Sequence, residues 1–169
     1  LKSQRAVHLY DVREAVLELA KGKLTSDPAH HSGEGIFFAS KVFDVFDIRS
    51  GRLHFVHDDG TLDMLMERPA DAPGTLVLMR LANDSPRTAK SVFDEFATPE
   101  EYTFAKTLVP VRLAQYEGEK LVSRSQAKRL SQRFERFRHV VLDFDGVAEI
   151  GQAFADELFR VFATAHPAV

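Results

Sequence analysis

Cysteine and tryptophan are both missing from this 169-residue sequence. Without cysteine there is no disulfide framework, no thiolate metal site and no cysteine nucleophile, which fits a reducing, cytoplasmic setting. Long hydrophobic runs are missing as well. No apolar stretch approaches the roughly 18–20 residues that a membrane-spanning helix requires, and no secretory signal peptide is recognisable. A dominant charge sign is also lacking: Lys and Arg number 22 against 25 Asp and Glu, for a net charge of -3. No global basic excess therefore points to nucleic acid. The sequence begins at Leu1 rather than methionine, as a segment or a trimmed product does.

What is present is enough apolar material for one medium domain or two small ones, with 44% hydrophobic residues and 14 Phe. Asp11 to Lys21 reads as a helix: Asp11 caps it, Glu14 follows three residues on, Gly22 stops it, and Val12, Val16 and Leu19 share a face. Lys23 to Ser32 is polar and contains Pro28, which is loop chemistry. Gly35 to Phe43 is helical and apolar on most sides, which predicts a buried helix. Three strands follow, at Val45 to Ser50, Arg52 to His57 and Leu62 to Glu67, separated by the turn sequences Ser50-Gly51 and Asp58-Asp59-Gly60. Thr75 to Leu81 is apolar and β-prone and predicts a central strand.

Asn83 to Arg87, with Pro86, marks a boundary, after which a short helical connector is expected. Thr98-Pro99-Glu100-Glu101 has the form of a helix start. A second module opens with strand Leu108 to Ala114 and continues at Lys120 to Val122. Ser123 caps a helix with Gln126 in the capping-box position, and Ala127, Leu130, Phe134 and Phe137 form its apolar stripe. His139 to Phe144 predicts a buried strand. Gly151 to Ala165 predicts a helix with Phe154, Leu158 and Phe162 on one side. The expected fold class is α/β (α+β).

The most informative string is SGEGIFF, residues 32 to 38. Two glycines one residue apart open a helix after a polar loop. Glycine lets backbone amides approach a phosphate, and a helix start offers unpaired N–H groups with positive partial charge. A G-x-G alone is equally an ordinary tight helix entry. In context, GKLTSDPAHHSGEGIFFASKVFD and PGTLVLMRL resemble the GHKL family of histidine-kinase-like ATPases, whose domain is a Bergerat-type α/β sandwich. The resemblance implies that SGEG is the second glycine box, that Lys23 to His31 is the ATP lid, and that Pro73-Gly74-Thr75 is the Gly-Thr element beneath the adenine. It implies ATP with Mg²⁺ as cofactor, held by Lys23, Thr25, His31, Ser32, Gly33, Glu34, Gly35, Ile36, Gly74 and Thr75. The family's magnesium-coordinating Asn helix and its Asp-x-Gly-x-Gly box have no counterpart in Leu1 to Tyr10. The resemblance therefore covers the back half of that domain, and neither ATPase nor protein kinase activity is expected of this chain alone.

HVVLDFDGVAEIGQAFADELFRVF (139 to 162) and LVSRSQAKRL (121 to 130) resemble a STAS-like family that follows GHKL-like domains in bacterial proteins. Where anti-sigma-factor antagonists carry a phosphorylatable serine, Ile150-Gly151-Gln152-Ala153 has no hydroxyl, so phosphorylation of that kind is not expected. The last strand and helix of a STAS domain have no counterpart before Val169. The implied organisation is a partial GHKL domain at 1–84, a connector at 85–107 and a STAS-like domain at 108–169.

Ser123, Arg124, Ser125, Gln152, Asp156, Glu157 and Arg160 are candidates for an interaction surface. The alternative is a plain Asp156–Arg160 pair at i,i+4 on a solvated stripe. Arg124, Lys128, Arg129, Arg133, Arg136 and Arg138 crowd one helix. The spacing favours a solvated face over nucleic-acid contact, because no aromatic platform shares that side. His54 and His57 are three apart in a strand, hence on opposite faces, and no Cys, Asp or Glu spacing completes a metal site. The reading that results is a bacterial regulatory or signalling protein with a protein partner, rather than a metabolic enzyme; a homodimer is compatible with it. Nucleic acid and membrane are not the expected partners. The alternatives are a nucleotide-independent interaction protein or part of a transcription regulator.

Overall fold

The computed structural model describes residues 12–25, 27, 29–58, 63–98, 103–115 and 118–169. The expected cap at Asp11, the turn at Asp59-Gly60 and the helix signal at Pro99 to Glu101 lie outside these. Helix α1 (Val12–Lys21) ends at Gly22, whose φ of 85° is the left-handed conformation that closes helices. Helix α2 (Gly35–Val42) leads into an antiparallel sheet of β1 (Val45–Ser50), β2 (Leu53–Asp58), β3 (Met64–Glu67) and β4 (Thr75–Arg80) in the order β3-β2-β1-β4.

Period-2 alternation puts Phe46, Ile48, Phe55 and Leu65 on the face turned to the core. The opposite face carries Asp47, which pairs with Arg49 and with His54 Nε2 at 2.9 Å. His57 shares its face with Phe46 and pairs with Asp63, so the two histidines do point to opposite sides.

Helix α3 (Ala89–Phe96) is the expected connector. Thr88 and Ser91 cap it reciprocally. Thr98 donates its N–H to Thr103 O beside an Ala97–Phe104 bridge. Strand β5 (Lys106–Pro110) pairs in parallel with β6 (His139–Asp143). The strand expected to reach Ala114 stops at Pro110, and Val111–Ala114 is a 3₁₀ turn. Proline has no N–H to extend a ladder. Helix α4 (Arg124–Ser131) has the predicted Ser123–Gln126 capping box. Helix α5 begins as Gln152–Asp156, widens into a π-helical stretch at Glu157–Phe162 and closes at Ala163–Ala165.

One hydrophobic cluster joins Val16 and Leu17 of α1 and Phe46, Leu53 and Phe55 of the sheet to Val109, Leu121, Leu130, Phe134, Phe154 and Leu158. This cluster draws residues from both sides of the boundary expected at residues 85–107. A second, aromatic cluster packs Phe37 of α2 against Phe96 and Phe104, with ring centroids 5.0 and 4.6 Å apart.

Three burial expectations change. Strand β4 is an edge strand, not a central one, and all six of its residues are exposed, Leu76 by 57%. Apolar composition does not specify whether a covering layer exists. Helix α2 buries only Phe37 and Ser40, and Ile36 is 42% exposed. Strand β6 is only partly covered, with Val141 exposed.

Candidate functional site

The helix entry at SGEG combines one glycine used by the chain itself with one that is open. Gly33 has φ of 74°, and a Cβ there would stand 2.5 Å from Leu24 O and 2.8 Å from Leu24 N. Its missing side chain is thus required by the returning loop. Gly35, the first residue of α2, has nothing within 4 Å of its Cβ position. Glu34 precedes it without any side-chain cap, so the first amides of α2 have no capping oxygen from this residue. Ser32, Gly35 and Ile36 are exposed, and Gly33 and Glu34 partly so.

Phe43 and Asp44 link α2 to β1, and β4 runs antiparallel to β1 with Ser50 opposite Thr75. Thr75 is exposed, its Oγ1 lies 2.9 Å from Ser50 Oγ, and Gly74 beside it has open space.

The loop from Lys23 to His31 is anchored at its start. Lys23 Nζ donates to Arg136 O at 2.9 Å and lies over the rings of Phe137 and Phe104, 4.8 and 5.3 Å from their centroids. Burial pushes its ammonium below the ordinary lysine range. Lys23 is thus tied to the second half of the chain, while the Glu34 charge at the α2 entry opposes the effect of its burial. Thr25 Oγ1 accepts from Asp27 N, Asp27 pairs with His30, and His31 is exposed.

In the second half, Asp156 gathers two arginines. Arg124 Nη2 lies 3.1 Å and Arg160 Nη2 2.8 Å from Asp156 Oδ2. The hydrogen bond from Arg160 holds the Asp156 carboxyl below the usual carboxylate range, with both arginine charges adding to it. The structure therefore joins Arg124 of α4 to Asp156 and Arg160 of α5, whereas sequence spacing alone offered only the i,i+4 pair. Ser123 Oγ accepts from Gln126 N and lies 3.0 Å from Ser125 Oγ. Glu157 is buried and faces Lys128 at 3.9 Å. Gln152 is exposed, and so is Phe159, by 58%, within the π-helical stretch. Widened helical turns of this kind concentrate at functional sites.

Of the six basic residues, Arg124, Lys128, Arg136 and Arg138 are exposed, in keeping with a solvated face, and Arg129 and Arg133 are partly buried. Arg129 donates to Ala114 O, Arg133 binds Glu18 Oε2 at 2.7 Å, and Arg136 donates to Lys23 O. Sequence reasoning missed the Glu18–Lys21–Arg133 group. Glu18 and Lys21 are both 1% exposed. The signal available was a Glu and a Lys three apart on α1, which ordinarily marks a solvated pair.

Gly151 N donates to Leu121 O at 2.8 Å, and a Cβ on Gly151 would stand 2.7 Å from Val122 Cα. Gly151→Ala is expected to cost about 1–3 kcal/mol by forcing these backbones apart. A melting temperature equal to that of the parent protein would show that the approach is looser than described.

Among the described residues no group of three His, Cys, Asp or Glu side chains is placed to hold a metal ion, and no helix is long and apolar enough to cross a membrane. A family model described as a STAS-like domain of unknown function (DUF4325) matches residues 126–168, from α4 through α5. No curated protein and no solved structure matches the chain.

Proposed function

We propose that this chain is a bacterial regulatory protein in which a nucleotide-linked sheet is coupled to a STAS-like protein-interaction surface. The observation that carries the nucleotide half is the entry of α2 at Gly35, which is open to solvent and has no side-chain cap. A helix N-terminus with free amides and a glycine approach favours a phosphate. Gly35, Ile36, Gly74 and Thr75 fit a nucleoside polyphosphate such as ATP with Mg²⁺, which would supply the charge that the N–H groups read. Lys23 does not fit that role, because its ammonium is engaged with Arg136 O and two phenylalanine rings. The uncovered faces of β4 support a sheet that is completed by further elements or by a ligand.

The interaction half rests on Arg124, Asp156, Arg160 and Phe159, which offer a charged rim beside an exposed aromatic. Such a combination suits a protein partner in the cytoplasm.

The test is a thermal-shift and calorimetric titration of the complete gene product with ATP and Mg²⁺. Binding raises the melting temperature by mass action, about 2.7 kcal/mol of stabilisation when ligand is at 100 times its Kd. Gly35→Val is expected to abolish that shift while leaving the ligand-free melt nearly unchanged, since the glycine has open space around it. No shift with ATP in the parent protein would remove the nucleotide half.

The anchoring of Lys23 favours one second reading, an interaction protein that works without nucleotide. It predicts that a partner captured through the Arg124–Asp156–Arg160 surface is retained equally in ATP-depleted and ATP-supplemented lysate.

A further inference from the structure

The outer edge of β3 forms one wall of a cleft of about 720 Å³, lined by the five consecutive residues Asp63 to Glu67 and, opposite them, by Arg112 and Leu113. The cleft lies outside the α2 entry and the α4–α5 surface, and its shape follows from strand chemistry. Arg68 N donates to Arg52 O at 2.6 Å, which makes Arg52–Arg68 a hydrogen-bonded pair of the β2–β3 ladder. Antiparallel pairs alternate, so His54–Met66 and Val56–Met64 are also hydrogen-bonded pairs, while Leu65 turns its N–H and C=O outward along the cleft. An edge of this kind is a template for one more strand.

Arg112 adds a second, independent observation. Its Nη2 is buried and has no hydrogen-bond partner. A guanidinium carries five donors and no acceptor, so the deficit is specifically one of acceptor oxygen. Arg112 is itself one of the residues that line the cleft. The charges around it narrow the choice of acceptor. Burial draws the Arg112 guanidinium below its ordinary range, and Asp63, Asp145 and Asp143 oppose that shift. Asp63 is engaged by His57 and faces Lys41 at 3.9 Å. A further carboxylate or phosphate would meet three acids already in place, whereas a neutral carbonyl meets the donor without that repulsion. Leu53, Leu65 and Leu113 supply apolar wall for alternate side chains.

We propose that this cleft receives an extended, non-acidic polypeptide segment of a partner protein, which adds a fifth strand beside β3 and gives one backbone carbonyl to Arg112 Nη2. Affinity then comes from main-chain hydrogen bonds at Leu65 and selectivity from apolar side chains at every second position.

The probe is a phage-displayed library of random heptapeptides selected on the immobilised full chain, with the best binder resynthesised and titrated by fluorescence polarisation. Enriched sequences are expected to alternate apolar residues and to lack Asp and Glu. N-methylation of the backbone at alternate amides is expected to weaken binding about tenfold or more at one parity and hardly at all at the other, as loss of a single hydrogen bond does. Arg112→Met, which removes a donor that has no partner, is expected to melt like the parent and to bind the peptide about tenfold more weakly. The proposal is overturned if no sequence is enriched, if the enriched sequences are acidic, or if N-methylation at either parity leaves affinity unchanged. A folded Arg112→Met that binds as well as the parent overturns it too. The N-methyl series needs no variant protein and decides the matter even if Arg112→Met does not fold.

Discussion

Glu18→Ala is expected to destabilise the fold by about 3–5 kcal/mol, the range for a buried ion pair that loses one partner. Both Glu18 oxygens are engaged, Oε1 by Lys21 Nζ and Oε2 by Arg133 Nη1 at 2.7 Å. Without the carboxylate, Lys21 keeps only Gln132 O at 3.1 Å and the ring of Phe134 at 5.2 Å. The ammonium stays buried with no counter-charge of its own. Desolvation already holds the Lys21 pKa below 10.5, and the Glu18 charge and hydrogen bond are the main forces opposing that shift.

The sign of the pH dependence follows. The unfolded chain keeps its lysine protons to about pH 10.5, while the folded chain releases this one earlier. Between the two values the unfolded state binds more protons, so stability rises with pH. In Glu18→Ala the opposing carboxylate is gone, the folded value falls further, and the window widens downward. Urea unfolding at neutral and alkaline pH measures both effects. Replacing the pair together, as Glu18→Leu with Lys21→Met, is expected to restore most of the loss, because well-packed apolar residues substitute for buried ions with little cost. A Glu18→Ala variant that loses less than about 1 kcal/mol, in the range of an exposed pair, would mean that these side chains are hydrated.

The second large effect separates the two glycines of SGEG. Gly33→Ala places a Cβ 2.5 Å from Leu24 O and holds alanine at φ 74°. The left-handed conformation costs roughly 1–2 kcal/mol and the collision with backbone adds to it, for about 2–4 kcal/mol in total. The adjoining Leu24 is 8% exposed, so the loop has core contacts that resist its moving aside. Gly35→Ala meets open space and gains helix propensity, which is expected to leave stability unchanged or raise it by up to about 1 kcal/mol. Thermal melts of the two variants side by side check the contrast. Equal melts would indicate that the Leu24 backbone does not cross behind Gly33.

Local signals were legible where they are self-contained. Ser123 and Gln126 sit three apart and cap α4 reciprocally, as their spacing predicts. The alternation from Val45 to Glu67 yields the hairpin strands, and the apolar stripe from Ala127 to Phe137 is buried at all four predicted positions. Two of those four lie beyond the end of α4, because Arg133 adopts a left-handed φ of 65° and the chain continues as a 3₁₀ turn.

What the sequence hid depends on partners far away along the chain. Glu18 and Arg133 are 115 residues apart, and nothing near either one announces the other. The exposure of β4 was hidden because its residues TLVLMR read the same whether or not a layer covers them. In the candidate site, Gly35 and Thr75 could be singled out from a resemblance. The division of labour between Gly33 and Gly35 could not, since it turns on where the Leu24 backbone passes. The cleft beside β3 leaves no motif, because its wall is a strand edge and its buried, unpartnered side-chain donor is a lone arginine.

Helix α1 belongs to both halves at once. Its Val16 and Leu17 share a cluster with the sheet, its Lys21 carbonyl accepts from Thr107 Oγ1 of β5 at 2.7 Å, and its Glu18 grips Arg133 beyond α4. Mechanically it is an axle seated in two hubs rather than a tether between them. A rotation imposed at the sheet end therefore meets the β5–β6 pair through direct contacts of the same helix.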